Sequence, residues 1–149
     1  MEATGATVGQ SRRAGTAISP GKIGILPHAL YSHWPEYLME AAGLGLLMLS
    51  AGAFGTLLGF PKSPVHQALP SPFARQALMG LAMGLTFIAI VYSPWGKQSG
   101  AHLNPVVSLV FWRLGKVRFV DAVFYSIAQC LGGLLAVVYL GGVFGEAFL

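Results

Sequence analysis

A chain of 149 residues has room for one domain, and this one is 54% hydrophobic and only 9% charged. Soluble globular domains carry about 25% charged residues, so a solvated globular surface is excluded, whereas a lipid-facing surface needs no such charge. The net charge of +4 comes from Lys and Arg at the ends of long apolar runs, which argues against a nucleic-acid-binding face and for membrane-topology signals.

Residues 1–34 are rich in Gly, Ala, Ser and Thr, carry Arg12, Arg13 and Lys22, and show no sustained periodicity. They are expected to form a disordered cytoplasmic tail. No apolar h-region follows Ser11-Arg12-Arg13, so a cleaved signal is not expected. The first apolar run covers residues 37–60 and exceeds the roughly 20 helical residues that cross a bilayer. Trp34 and Tyr37 stand at its start, where amphipathic rings suit the headgroup level, and Pro35 fits a first helical turn.

A loop containing Pro64, Pro70 and Pro72 leads to a second span at residues 73–92, which Ser93-Pro94-Trp95-Gly96 ends by turn chemistry. Residues 96–103 read as a loop, and Asn104 opens a short apolar stretch over residues 105–114. At 1.5 Å per residue such a helix reaches about 15 Å, half a bilayer. The third span covers residues 119–140, and residues 141–149 remain apolar. The chain therefore reads as an all-α membrane protein with three transmembrane helices and one re-entrant half-helix.

Seven basic residues (Arg12, Arg13, Lys22, Lys97, Arg113, Lys116, Arg118) lie on one side of this plan and two (Lys62, Arg75) on the other, which orients the N-terminus to the cytoplasm. Glycine pairs at spacing four (Gly55 and Gly59, Gly80 and Gly84, Gly141 and Gly145) suggest close helix packing. Cys130, the single cysteine, is expected to be a small buried hydrophobe. His28, His33 and His66 lack ligand spacing, so neither a metal site nor a cofactor is expected.

The segment that carries chemistry is Ser99-Gly100-Ala101-His102-Leu103-Asn104-Pro105-Val106-Val107-Ser108. Asn is a preferred N-cap and Pro is favoured at the first helical position. The helix is too short to cross, and Arg113, Lys116 and Arg118 return the chain to the side it left. A loop that dips in and comes back as a half-helix meets both constraints. Irregular backbone at that depth is tolerated where protein buries it or water lines it. The helix N-terminus, with its partial positive charge, then lies near the bilayer middle and repels cations. Asn104 can offer its NH₂ to a passing oxygen, and the carbonyls of Gly100, Ala101 and His102 are free acceptors.

Ser-Gly-Ala-His-Leu-Asn-Pro at residues 99–105 is similar to the first-repeat motif of the aquaporin, or major intrinsic protein, family. Glu40, Tyr125, Gln129 and Gly132-Gly133 fit the same pattern, and the resemblance covers residues 35–140. It implies one half of a six-span pore built from two inverted repeats, in which a second Asn-Pro helix meets this one. It further implies that Asn104 orients the permeant, that Pro105 stacks on the other half, and that Gly100, Ala101 and His102 line the cytoplasmic vestibule. Glu40 corresponds to the acid that braces the re-entrant loop. Tetramers are the family's habit.

Two departures stand out: Val106 replaces the family's usual Ala, and Ser108 its usual Thr. Val106 is bulkier and bears on pore width. Met83, Gly84 and Phe87 in the second span are candidates for the outer constriction, against a packing role that suits each of them better. Gln129 can hydrogen-bond across helices.

The leading expectation is a channel in the lipid bilayer of a cell membrane, a bacterial inner membrane suiting it, that passes water or small neutral solutes such as glycerol without chemistry. A second Asn-Pro half is missing from these residues, so a truncated form is expected. The alternative is a non-conducting remnant or subunit that needs a second half. A membrane enzyme would need an ionisable pair within the spans, and only Glu40 and Asp121, both near helix ends, come close.

Overall fold

The computed structural model describes residues 25–148. Arg12, Arg13, Lys22 and the rest of the expected tail up to residue 24 lie outside the described residues. In chain order the helices are α1 (Ile25–Gly59), α2 (Pro64–Ala68), α3 (Pro72–Tyr92), α4 (Pro94–Ser99), α5 (Pro105–Arg113) and α6 (Phe119–Phe144), closed by a 3₁₀ turn at Gly145–Ala147. Three segments, Leu30–Gly59, Pro72–Tyr92 and Phe119–Ala147, are long and apolar enough to cross a membrane.

The expected tail is corrected over residues 25–34, which are the first turns of α1. Pro35, expected in a first helical turn, sits inside the helix. A proline there removes one backbone hydrogen bond and crowds the preceding turn. Contacts on both sides of it hold the helix through: His33 and Tyr37 both bond to Asp121 of α6.

Local chemistry sets the other boundaries. The Ser71 hydroxyl accepts the Ala74 amide (3.4 Å), with Pro72 in the first turn of α3. Ser93 ends α3 and at once caps α4, its hydroxyl accepting the Gly96 amide at 2.9 Å. The stretch expected to be a turn is therefore a short helix, because Ser93-Pro94 is as good a start signal as a stop signal. Gly100 ends α4 in the left-handed region.

α1 packs along α6, with α3 on another side of α1, α4 against α1, and α5 against α6. The α1–α6 crossing is close enough that a Cβ on Gly132 would overlap the Ala41 carbonyl, while Gly45 faces the Gly132 backbone. The glycine pairs singled out in the sequence do not make this contact: nothing lies within 4 Å of a Cβ built on Gly55, Gly59, Gly80, Gly84 or Gly141. Spacing alone cannot tell which face of a helix meets a neighbour.

The buried face of α6 carries Asp121, Ala122, Tyr125, Gln129, Ala136 and Leu140. Cys130 lies one step round from it and is exposed, correcting the expectation of burial; a one-residue step turns a side chain by about 100°. Polarity is arranged inside out. Glu40, Ser99, His102, Ser108, Asp121 and Gln129 are buried, whereas Leu81, Leu85, Ile88, Leu134, Leu135 and Val138 are exposed. Such an exterior suits hydrocarbon, where polar groups must find partners inside the protein.

Candidate functional site

Between α4 and α5 the chain turns back on five residues, three of them in the left-handed region: Gly100 (φ 93°), Ala101 (φ 46°) and Leu103 (φ 50°). Each non-glycine residue there costs on the order of 1–2 kcal/mol, so the surroundings must hold the loop in place.

Glu40, fully buried on α1, does so. Its Oε1 accepts the His102 amide at 2.9 Å and the Ser99 hydroxyl at 2.7 Å. Its Oε2 accepts the Leu103 amide and the Gln129 side chain, each at 2.8 Å. Gln129 also donates to the Ser108 hydroxyl (3.2 Å), which lies 3.0 Å from His102 Nδ1. The Tyr125 hydroxyl donates to the Ser99 carbonyl at 2.9 Å. The His102 ring stacks on Phe111 with centroids 4.6 Å apart and meets Tyr125 edge-on. One carboxylate thus joins α1, the loop and α6, and Ser108 brings in α5.

This inward grip dictates what the loop presents outward. In a trans peptide the N–H and C=O point in opposite directions. The amides of His102 and Leu103 point at Glu40, so the carbonyls of Ala101 and His102 point away from it. The Ala101 amide turns to Ser99 Oγ at 3.2 Å, which sends the Gly100 carbonyl the other way. None of these three oxygens has a hydrogen-bond partner among the described residues. The His102 ring is turned inward, against Ser108, Phe111 and Tyr125.

At the end of this row stands Asn104. Its Oδ1 accepts the Val106 amide at 2.8 Å, with Pro105 beginning α5. The cap leaves the Asn104 NH₂ unengaged among the described residues. Asn104 is exposed, and Val106 beside it is 64% exposed. The first turn of α5 therefore presents an open face. Three acceptor carbonyls followed by an amide donor and the positive end of a helix can bind a polar neutral molecule in sequence and disfavour a cation.

The remaining candidates lie elsewhere. On α3, Met83 is half-buried, while Gly84 and Phe87 are exposed. The Glu40 network contains no residue of α3. A second polar cluster, which the sequence did not reveal, centres on Asp121. This carboxylate accepts from the Tyr37 hydroxyl (2.7 Å) and Arg118 Nε (2.7 Å) and lies 3.2 Å from His33 Nδ1. The hydrogen bond and the charge of Asp121 raise the pKa of Arg118. The available signal was Arg118 three residues before Asp121 at a helix start. No group of three or more metal-binding side chains occurs among the described residues.

Three apolar spans, a polar interior and a capped half-helix held on a buried carboxylate define an integral membrane protein of the re-entrant-loop type. The family model for the major intrinsic proteins matches residues 29–147. The chain belongs to that family. Among its relatives, Aquaporin-1 of Sus scrofa is 37% identical over 111 residues, covering 74% of this chain and 40% of the relative. Aquaporin FA-CHIP of Pelophylax lessonae is 33% identical over 103 residues, covering 67% and 37% respectively. Aquaporin Z of Photorhabdus laumondii subsp. laumondii is 40% identical over 62 residues, covering 42% and 26%. The chain thus spans about a quarter to two fifths of the length of these curated relatives. No solved structure matches it significantly.

Proposed function

We propose that this chain supplies the first repeat of a channel for water or small neutral solutes, a passive pore rather than an enzyme. The observation that carries the reading is that the Gly100, Ala101 and His102 carbonyls, and after them the Asn104 NH₂ at the start of α5, are all left without partners among the described residues. Water both donates and accepts, so it can exchange its bulk hydrogen bonds for these in turn. A cation meets the positive end of the half-helix instead. Glu40 serves as the brace, and Pro105 and Val106 form the contact with the opposite wall.

That wall is the second part of the proposal. Asn104 and Val106 are exposed, so a pore requires a second half, either further along the polypeptide or on a partner. This favours the reading in which these residues alone do not conduct. The bulk of Val106 narrows the passage beside Asn104 relative to an alanine. Met83, Gly84 and Phe87 are proposed for the outer constriction, and assembly into tetramers is proposed from the resemblance. The basic residues Lys97, Arg113, Lys116 and Arg118 support a cytoplasmic location for the loop side of the protein in a cell membrane.

The test is stopped-flow osmotic shrinkage of liposomes holding the protein extracted from its native membrane, with Asn104→Asp as the variant. Aspartate keeps the oxygen that caps Val106 but removes the NH₂ donor and adds a negative charge. Water permeability is expected to fall about tenfold, the effect of losing roughly one hydrogen bond to the permeant, and cation leak to rise. A variant that conducts water normally and stays cation-tight would refute the role assigned to Asn104.

A further inference from the structure

Where α6 begins, a cavity of about 250 Å³ is lined by His33, Lys116, Val117, Arg118, Asp121 and Tyr125. Its charges are unbalanced. Asp121 is engaged by Tyr37, Arg118 and His33. Arg118 lays its Nε and Nη2 against that carboxylate, leaving Nη1 without a partner among the described residues. Arg118 and Asp121 cancel. Lys116 takes part in neither ion pair of the described residues, so its ammonium gives the cavity a net positive charge.

The surroundings are those of a membrane boundary. Trp34, next to His33, and Phe119, next to Arg118, are both more than half exposed. Phe119 packs against Trp112 with ring centroids 4.9 Å apart. Exposed aromatic rings beside cations mark the level where headgroups meet acyl chains. Val117 adds an apolar side chain to the lining, and the exposed Phe119 ring follows Arg118 directly in sequence at the start of α6.

We propose that this cavity binds the phosphate of an anionic phospholipid, with Lys116 and the free edge of Arg118 on the phosphate and an acyl chain along Phe119. Free inorganic phosphate shares the charge but satisfies only the polar half, which is why the lipid is assigned. Basic residues just beyond a membrane helix attract anionic headgroups on general grounds. What the structure adds is a defined cavity in which Asp121 orients one of the two cations.

The full chain in detergent is titrated with short-chain phosphatidylglycerol, and bound lipid is counted by native mass spectrometry. Phosphatidylcholine of the same chain length and inorganic phosphate serve as the other two probes. Lys116 lies in an exposed turn, so Lys116→Gln is expected to fold normally and to weaken phosphatidylglycerol binding about fivefold. Lys97→Gln removes the same charge from the same side of the molecule but outside the cavity, and is expected to weaken it less than twofold. Phosphatidylcholine binding is expected to be unchanged in both variants. Equal losses in the two variants would mean diffuse attraction and overturn the site. Inorganic phosphate binding that depends on Lys116, without preferential binding of phosphatidylglycerol over phosphatidylcholine, would overturn the lipid assignment.

Discussion

Replacing Glu40 tests how the left-handed loop is held. Its two oxygens accept four donors at 2.7–2.9 Å: the Ser99 hydroxyl, the His102 and Leu103 amides and the Gln129 side chain. In Glu40→Gln one oxygen becomes an NH₂. On the first side, the Ser99 hydroxyl can rotate and accept from it, but the His102 amide cannot. On the second side, Gln129 can flip and present its oxygen, which has no partner in the native arrangement, but the Leu103 amide cannot adapt. Either orientation leaves one buried backbone N–H facing another donor. An unsatisfied buried donor costs about 1–3 kcal/mol, and the other bonds lose their charge assistance, so a loss of about 3 kcal/mol is expected. Glu40→Ala strands all four donors and is expected to cost more, though less than four times the single-donor figure, because one network shares the damage.

Native-state hydrogen exchange resolved by peptide is the suitable assay. Opening the loop 3 kcal/mol more easily accelerates exchange at the His102 and Leu103 amides by about a hundredfold. The α3 peptides, which take no part in the network, are expected to be unaffected. If Glu40→Ala left the protection of residues 102 and 103 unchanged, the carboxylate would not be what holds the loop.

Two further predictions concern packing. Gly132→Ala forces a Cβ into the Ala41 carbonyl, so it is expected to separate α1 from α6 and sharply lower resistance to unfolding in detergent. Gly80→Ala, with open space around it, is expected to be neutral or to stabilise by about 0.5–1 kcal/mol. Ser108→Ala removes the hydroxyl between Gln129 and His102 and is expected to cost about 1–3 kcal/mol in denaturant unfolding, as a buried polar group loses its partner.

Much of the architecture was legible because hydrocarbon imposes simple rules. Long uncharged runs marked three spans, and Asn104-Pro105 marked the start of α5 within one residue. What remained hidden depends on tertiary partners. The helical turns before Tyr37 carry weak local signals and a misleading Pro35; they are tied to α6 through Asp121. Glycine spacing pointed to Gly55, Gly80 and Gly141, whereas the close crossing uses Gly45 and Gly132, since periodicity names a face but not its neighbour. Glu40 stood out by being an acid within an apolar run. The four donors that converge on it come from segments 59 to 89 residues further along, a distance no local pattern spans. Ser108 was noted only as a departure from the family motif, and its bridging position emerged from the folded arrangement.

That separation along the chain has a consequence for biosynthesis. α1 emerges from the ribosome and meets the bilayer well before Ser99, His102, Leu103 and Gln129 have been made. During that interval Glu40 has none of the four donors that surround it in the finished fold. An unpartnered acid near a bilayer centre costs on the order of 2.5–3.5 kcal/mol on insertion scales, and Glu40 stands well inside α1, bonded to the loop that leads into Asn104. The first helix is therefore least comfortable in the membrane while it is alone. Its final depth is set only when the loop folds back and α6 arrives with Gln129. Among the described spans, α1 precedes every partner that holds Glu40.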